Sequence, residues 1–570
     1  MPNCSAAFID SNRLNKKYIM KTLAILSLSL LFPFIAYNQS NYDILSHRVD
    51  SIFEKFNNKP GCVFGIIKNG KFVHKKGYGL ANLEYGIPNT PSTVFHMASV
   101  SKQFTGFAIH LLIQDGKLSL SDDIRKYLPE MDFGDTVTID NLIHHTSGIR
   151  DQWELLIAEG TSMDDVITQK HVLNILDAQS DLFHKPGEWN VYSNSNYTLL
   201  AEIIERVSEM SFAAFMRKRI FEPLGMYNSF FLDDNDLIIK NRAYSYRPDG
   251  KGHYKKEPLN FATVGATNLQ TTLEDFAKWD RNFYTFELGG KELMNEYLTK
   301  GKARDGSELK TYASGIRVRD YKEFKILTHS GGDAGYESLY VTIPELELSL
   351  IYFSNMWLNI NLWEILDWYI GIETKNKKFN KYFTKPLDSF NDYLGIYNGN
   401  HVKRIIQLDD KLLLQFRENY FDELFQISID SFFVERTNSI LCFNRNDNNE
   451  VTQLTIDGDR EFKKLENKIL PIEQLNEYSG TYYCVELNTI RKIKIENNLL
   501  YLEGKKATND PLFFNADDNF FVTNADEFYL ALSGIRFVRN DNGDIIGHYL
   551  STPMAHNIYF KKIKEIKYFE

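Results

Sequence analysis

Ser99 and Lys102 stand three residues apart in Ser99-Val100-Ser101-Lys102, at the start of a segment patterned as a helix. Residues three apart on a helix share a face. The Lys102 amine is therefore placed to take the proton of the Ser99 hydroxyl, a weak nucleophile until a neighbouring base does so. Taken alone, the pair reads more simply as a capping serine followed by a solvated lysine. Two later clusters change that. Tyr192-Ser193-Asn194 follows the Pro186-Gly187 turn and precedes an amphipathic run of Tyr197, Leu199, Leu200, Ile203 and Ile204. A loop presents its side chains, and a phenol near a lysine ammonium is expected to have a lowered pKa and to relay protons; the plainer reading is a turn tyrosine packing its ring. His329-Ser330-Gly331-Gly332 precedes Asp333-Ala334-Gly335-Tyr336. Glycines let a strand approach a ligand closely, and an N–H there is a natural oxyanion donor; the plainer reading is a glycine-rich turn between two strands.

The surrounding elements must bring these clusters together. After Lys102, apolar residues fall at Phe104, Phe107, Ala108, Leu111 and Leu112, the stripe of a helix with one buried face, and Gly116 ends it. Ser99 then lies in the first turn, where free N–H groups favour developing negative charge. Residues 44–56 form an amphipathic pattern, and 62–73 read as a hairpin around Asn69-Gly70. Residues 99 to about 300 are mostly helical and loop segments, strands are expected at 313–318, 324–328, 338–343 and 348–353, and a helix at 362–370. This order predicts an α+β domain: an antiparallel sheet flanked by helices plus an all-α subdomain, with the site in the cleft between them. A basic linker follows at 375–381. Beyond it Tyr393-Leu394-Gly395-Ile396-Tyr397 is echoed by Tyr478-Ser479-Gly480-Thr481-Tyr482, residues 405–414 by 493–502, and the Arg445-Asn446-Asp447 turn by Arg539-Asn540-Asp541. Short strands with Asn/Asp/Gly turns imply all-β barrel-like modules arisen by duplication, either two barrels or one built from both halves.

Together these residues resemble the serine β-lactamase and penicillin-binding-protein superfamily, within it the branch of class C β-lactamases, DD-peptidases, D-aminopeptidases and esterases. The order S-x-x-K, Y-x-N, H-x-G is that branch's order, and the flanks Phe95-His96-Met97-Ala98 and Leu142-Ile143-His144-His145-Thr146-Ser147-Gly148-Ile149 match it too. The resemblance covers roughly 42–370 and implies a β-lactamase/transpeptidase-like fold. It implies Ser99 as the acylated nucleophile, Lys102 as its base and Tyr192 as a proton relay. Asn194 would orient the substrate amide and Lys102, and His329 would position Tyr192 and bind or protonate substrate. The backbone N–H groups of Ser99 and Gly332, on the Gly331-Gly332 strand, would form the oxyanion hole, each donor contributing about 3 kcal/mol. The β modules are similar to the lipocalin-like barrels of D-aminopeptidase relatives. There are departures. Histidine rather than lysine at 329 points toward peptidases and esterases. Thr267-Asn268 stands where the branch usually has two glycines. No class A-type deacylating glutamate and no arginine for a substrate carboxylate can be placed from sequence.

The boundaries read as a leader at 1–39, a hydrolase domain at 40–374, a linker at 375–386 and β modules at 387–470 and 471–570. Lys16, Lys17 and Lys21 precede an apolar run at 23–35, too short for a membrane span and suited to a signal peptide, with Met20 the expected start. A periplasmic or extracellular protein without a stable span is expected, an uncleaved anchor being the alternative. Without Cys4, three cysteines remain, which is no disulfide framework; a Cys442–Cys484 pair stays open. A net charge of −10 with no basic stripe argues against nucleic acid as a partner. His144-His145 lacks further ligands at metal spacing, so no metal and no cofactor are expected. The expected activity is cleavage of an amide or ester through an acyl-enzyme. The leading substrates are peptides with D-residues, including peptidoglycan stem peptides. A small-ester carboxylesterase comes next, then a β-lactamase, and a sensor that stays acylated is the non-enzymatic alternative. The oligomeric state is not legible.

Overall fold

The structure is a computed structural model that describes residues 42–371 and 389–563, apart from 399–401, 418–419, 435–436, 438, 459, 466–469, 504–509, 517 and 523–533. The leader and the linker lie outside the described residues.

A helix over 42–53 leads into strands β1 (Cys62–Lys68) and β2 (Lys71–Tyr78). Their turn places Asn69 at φ 51° and Gly70 at φ 71°, the paired positive values that an Asn-Gly hairpin turn adopts. The remaining strands of the sheet come from the far end of the domain: β3 (Arg317–Tyr321), β4 (Phe324–Asp333), β5 (Tyr336–Ile343) and β6 (Leu348–Ser354). The order is β3-β4-β5-β6-β1-β2, antiparallel throughout. Every residue of β6 is buried, because Leu350 and Tyr352 face the 42–53 and Leu362–Ile370 helices while Ile351 and Phe353 face the helical insertion. Two expected strands are corrected. The first begins at Arg317, not 313, because Gly315 turns at φ 89° with its Cα against the Lys102 carbonyl, where a Cβ would come within 2.2 Å. The second continues through the glycines to Asp333, so His329-Ser330-Gly331-Gly332 is strand, and the turn falls at Ala334-Gly335.

Helix α1 (Lys102–Gln114) is buried from Lys102 to Leu112 on all sides, not along one stripe. It runs through the middle of the domain. Phe104 and Phe107 pack on Trp279 at ring distances of 4.5 and 5.2 Å. Three of its polar residues reach distant partners: Thr105 donates to Gly265 O at 2.8 Å, His110 meets Ser314 Oγ at 2.8 Å through Nε2, and Gln103 accepts from Trp279 Nε1 at 3.2 Å. A buried polar group without such a partner costs about 1–3 kcal/mol.

The C-terminal half forms two separate bodies, not one combined barrel. Nine strands from Gly395–Asn398 to Arg460–Lys464 make one antiparallel sheet, and eight from Gly480–Cys484 to Ala555–Ile563 make a closed barrel. The echoed residues occupy equivalent places. Tyr397 donates to Tyr393 O at 2.8 Å and Tyr482 to Tyr478 O at 2.6 Å. Tyr393 and Arg445 share Asp430 as Tyr478 and Arg539 share Asp518. Cys62, Cys442 and Cys484 are free thiols.

Candidate active site

The Ser99 turn is held by its neighbours before helix α1 begins. Ala98 takes φ 46°, an uncommon value for a residue with a side chain. Residues Ala98–Ser101 form one tight turn that runs straight into α1. Met97 N–H bonds to Leu269 O at 2.9 Å, and Ser101 Oγ accepts from Leu269 N–H at 3.0 Å. Lys102 is wholly buried. Its Nζ lies 3.1 Å from Ser99 Oγ, 2.7 Å from Asn194 Oδ1 and 2.7 Å from Ala266 O. Burial pushes the amine down to about 7, against the upward pull of Asp333 and Asp151. A neutral amine in this setting spends its two N–H groups on the two carbonyl oxygens and turns its lone pair to the Ser99 hydroxyl.

Asn194 opens helix α3 (Asn194–Ser208). Its backbone N–H and its Nδ2 both donate to Asp151 Oδ2, at 2.6 and 2.8 Å, which turns its amide oxygen toward Lys102. Asp151, fully buried, caps helix α2 (Gln152–Glu159) by accepting from Trp153 N–H at 2.9 Å.

Tyr192 is half-buried beside this pair, with Lys102 Nζ 4.9 Å from its ring centre. The expected lowering of its pKa is corrected: burial and the neighbouring Tyr312 push the phenol well above its ordinary value. The lysine sits over the ring face and is itself poorly charged, so desolvation outweighs its field. His145, at φ 57°, packs its ring 4.3 Å from Tyr192 and accepts the Ser193 N–H at Nδ1 over 3.1 Å, tying the 144–148 loop to the tyrosine. His144 turns away, to Asp140 Oδ1 at 3.0 Å. Among the described residues no three His, Cys, Asp or Glu side chains are grouped for a metal ion.

His329 is buried on β4 with Nδ1 2.7 Å from Ser330 O and Nε2 3.3 Å from the Tyr312 hydroxyl. Burial and the nearby Arg317 and Lys102 charges push it down to about 3, so the ring is neutral. With Nδ1–H given to Ser330 O, Nε2 is an acceptor for Tyr312, and the ring reaches Tyr192 only at 6.4 Å. Gly331 brings β4 beside the nucleophile: a Cβ there would lie 2.6 Å from Met97 O and 2.8 Å from Ser99 N. A Cβ on Gly332 would strike the Trp357 ring at 2.7 Å.

The fold also assembles residues that sequence reasoning missed. Asp151, Tyr312 and Arg317 are three. Asp151 had a usable signal, an aspartate directly before a helical run; the other two had none. Arg317 is half-buried, its guanidinium 5.2 Å from the Tyr312 ring centre, and its charge bears on His329, His145 and Tyr192. The Thr267-Asn268 departure is explained. Thr267 and His96 both bond Asp333 Oδ2, the histidine at 2.8 Å. Asn268 takes φ 77°, where a glycine would sit, and offsets the strain by donating to Phe261 O and Thr263 O at 2.8 and 3.1 Å.

Comparison with known proteins places this geometry. Residues 49–371 match the family described as Beta-lactamase, more than half of the chain. Protein flp of Staphylococcus aureus (strain MRSA252) is 28% identical over 366 residues, 61% of this chain and 70% of that one. The D-aminopeptidase of Gluconobacter oxydans (strain 621H) is 25% identical over 296 residues, 52% of this chain and 56% of that one. The solved octameric penicillin-binding protein homologue from Pyrococcus abyssi shares the fold, with a TM-score of 0.53 at 23% identity over 78% of this chain and 95% of that one.

Proposed function

The chain belongs to the beta-lactamase family of serine hydrolases, and on that premise we propose that it is an exported enzyme that cleaves amide or ester bonds through an acyl-enzyme on Ser99, foremost in peptides with D-residues. The observation that carries the mechanism is the 3.1 Å approach to Ser99 Oγ of a buried Lys102 whose pKa burial pushes down to about 7. Lys102 takes the Ser99 proton as Oγ bonds to the substrate carbonyl carbon. The backbone N–H groups of Ser99 and Gly332 receive the oxyanion. The proton passes through Tyr192 to the leaving amine or alcohol as the scissile bond breaks. Water then attacks the ester on Ser99, with Lys102 and Tyr192 returning its proton to Ser99, and releases the acid.

The half-buried Arg317 supports a substrate with a carboxylate near the scissile bond, the terminus of a D-peptide, over a neutral small ester. No helix among the described residues is long and apolar enough to cross a membrane; export rests on the leader pattern.

The test is intact-protein mass after brief incubation of residues 40–570 with a penicillin, beside Ser99→Ala. A stable adduct absent from the variant supports a penicillin-recognising peptidase or sensor. No adduct with intact drug points to an esterase or a narrower aminopeptidase. Turnover of any substrate that survives Ser99→Ala refutes the mechanism. Within the peptides, a D-alanyl-D-alanine substrate with a free carboxylate should exceed its amide in kcat/KM, and Arg317→Met should remove that preference.

A further inference from the structure

The closed barrel meets the domain that holds the site along one helix, capped by Asp151, and beside it through the Arg150–Glu486 ion pair at 2.9 Å and the Phe183 and His556 rings at 4.3 Å. The barrel's last two strands, Ile545–Thr552 and Ala555–Ile563, are joined by a turn at 552–555. Met554 O accepts the Asp151 N–H at 3.0 Å. Met554 N–H donates to Glu154 Oε2 at 2.6 Å, and Thr552 Oγ1 donates to the same oxygen. Glu154 is 1% exposed, one turn along helix α2 from Asp151. At the other end of this helix, Arg491 donates to Ala158 O at 2.9 Å and Thr489 to Glu159 O at 2.6 Å. The barrel thus grips the helix at both ends. Of these two grips the first leads to the site: turn to Asp151, Asp151 Oδ2 to Asn194, Asn194 Oδ1 to Lys102 Nζ, Lys102 to Ser99.

We propose that Glu154 is a positioning residue for Lys102, holding the barrel's 552–555 turn against Asp151 so that Asn194 and the lysine keep their places. The inference rests on the serine-hydrolase reading above. Burial and the Asp151 charge push the Glu154 carboxyl up to about 8, and a buried acid that does nothing but dock the barrel is a poor choice, since an apolar pair of similar size would dock as well without the cost of desolvation. Glu154 instead aligns a backbone turn against the capping residue of the site. The titratable groups facing Lys102 are Asp151, Asp333, Tyr192, Tyr197, His145 and His329, none of them from the barrel. Those facing Glu154 are Asp151 and, from the barrel, only the neutral donors of the turn. The barrel therefore acts on the lysine by placement, not by its own charge. Contiguity alone does not establish coupling, so the test must read the lysine.

The experiment measures kcat, KM and the pH profile of kcat/KM for the full chain on a D-alanyl p-nitroanilide. Beside it, the rate at which a fluorophosphonate labels Ser99 is followed against pH. Glu154→Ala is compared with Arg491→Met, which loosens the same interface at the far end of the helix, and with Thr552→Val, which removes one donor and keeps the carboxylate. The expected result for Glu154→Ala is a fall in kcat of about tenfold with KM nearly unchanged. Its acidic limb should move upward by about one pH unit, because water reaching Lys102 relieves the burial that depresses the amine's pKa. Thr552→Val should move the limb in the same direction by less, and Arg491→Met should lower the melting temperature and leave the limb in place. An unmoved limb in Glu154→Ala, or an equal shift in Arg491→Met, overturns the proposal. If Glu154→Ala does not fold, Thr552→Val decides by the same limb. If neither turnover nor labelling depends on Ser99, the hydrolase reading fails first and takes this proposal with it.

Discussion

Lys102 is wholly buried with three hydrogen-bond partners, and that arrangement sets how the site should respond to pH. In the proposed mechanism the base is the neutral amine. Its pKa is depressed to about 7 by burial, so the fraction able to accept the Ser99 proton is high above that pH and falls tenfold per unit below it. The pH profile of kcat/KM should therefore show an acidic limb near 7. His329, held neutral down to about 3, should add no second limb in the ordinary range. The sign can be checked with Asp151→Asn. Removing the carboxylate whose charge raises the lysine should move the limb to lower pH, opposite to the shift expected for Glu154→Ala. A limb that moves with neither change would assign it to some other group. The phenol of Tyr192, pushed up by burial, stays protonated throughout and serves as a donor that must receive as it gives.

The elements explain why some of this was legible and some was not. Local patterns carried the hairpin at Asn69-Gly70, the helix of Leu362–Ile370 and the three motif clusters, because turn residues and side-chain periodicity are properties of neighbouring positions. The full burial of α1 was hidden, because Gln103, Thr105 and His110 look like a solvated face until Trp279, Gly265 and Ser314 arrive from more than 150 residues away. Arg317 was hidden for the same reason. The 265–272 segment shows how a departure can be absorbed: Asn268 adopts the left-handed backbone of a glycine and uses its side chain to hold the loop. Asn268→Ala should lower stability by about 2 kcal/mol, from backbone strain and two lost hydrogen bonds, and Asn268→Gly by less, measured by thermal unfolding. On the facing strand, Gly331→Ala should leave the fold intact but displace the Ser99 N–H from β4. A fall in kcat of about a hundredfold is expected, the scale of one lost oxyanion donor. A Gly331→Ala enzyme with wild-type kcat would show that this strand does not serve the oxyanion.

At the scale of the whole molecule, the two C-terminal bodies carry the same internal lock and make different contacts with the rest of the chain. In one, Arg445 joins Asp430, Asp392 and Asn449 O; in the other, Arg539 joins Asp518, Glu477 and Gly543 O. The sequence echoes quoted above identified the tyrosines and arginines of this lock and passed over its aspartates, although Asp430-Ser431-Phe432-Phe433-Val434 is echoed by Asp518-Asn519-Phe520-Phe521-Val522; that the two meet their partners is seen only when the sheets close. The shared lock implies that either arginine should be worth a similar amount to its own body, about 2 kcal/mol for hydrogen bonds of a partly exposed charged group. The contacts with the site differ. The eight-stranded barrel is tied to Asp151 and Glu154 through the 552–555 turn, whereas Arg539 pairs with Ile545 at the other end of the same strands. The nine-stranded body touches the site region through Tyr420, whose ring lies 6.4 Å from Trp357. Arg539→Met and Arg445→Met should therefore each lower the melting of their own body by a similar amount and leave the acidic limb of kcat/KM in place, as expected for Arg491→Met. Calorimetry and the pH profile, taken on both variants, test this: an upward shift of the limb in Arg539→Met would show that the lysine responds to the stability of the barrel at large and not to the 552–555 turn in particular.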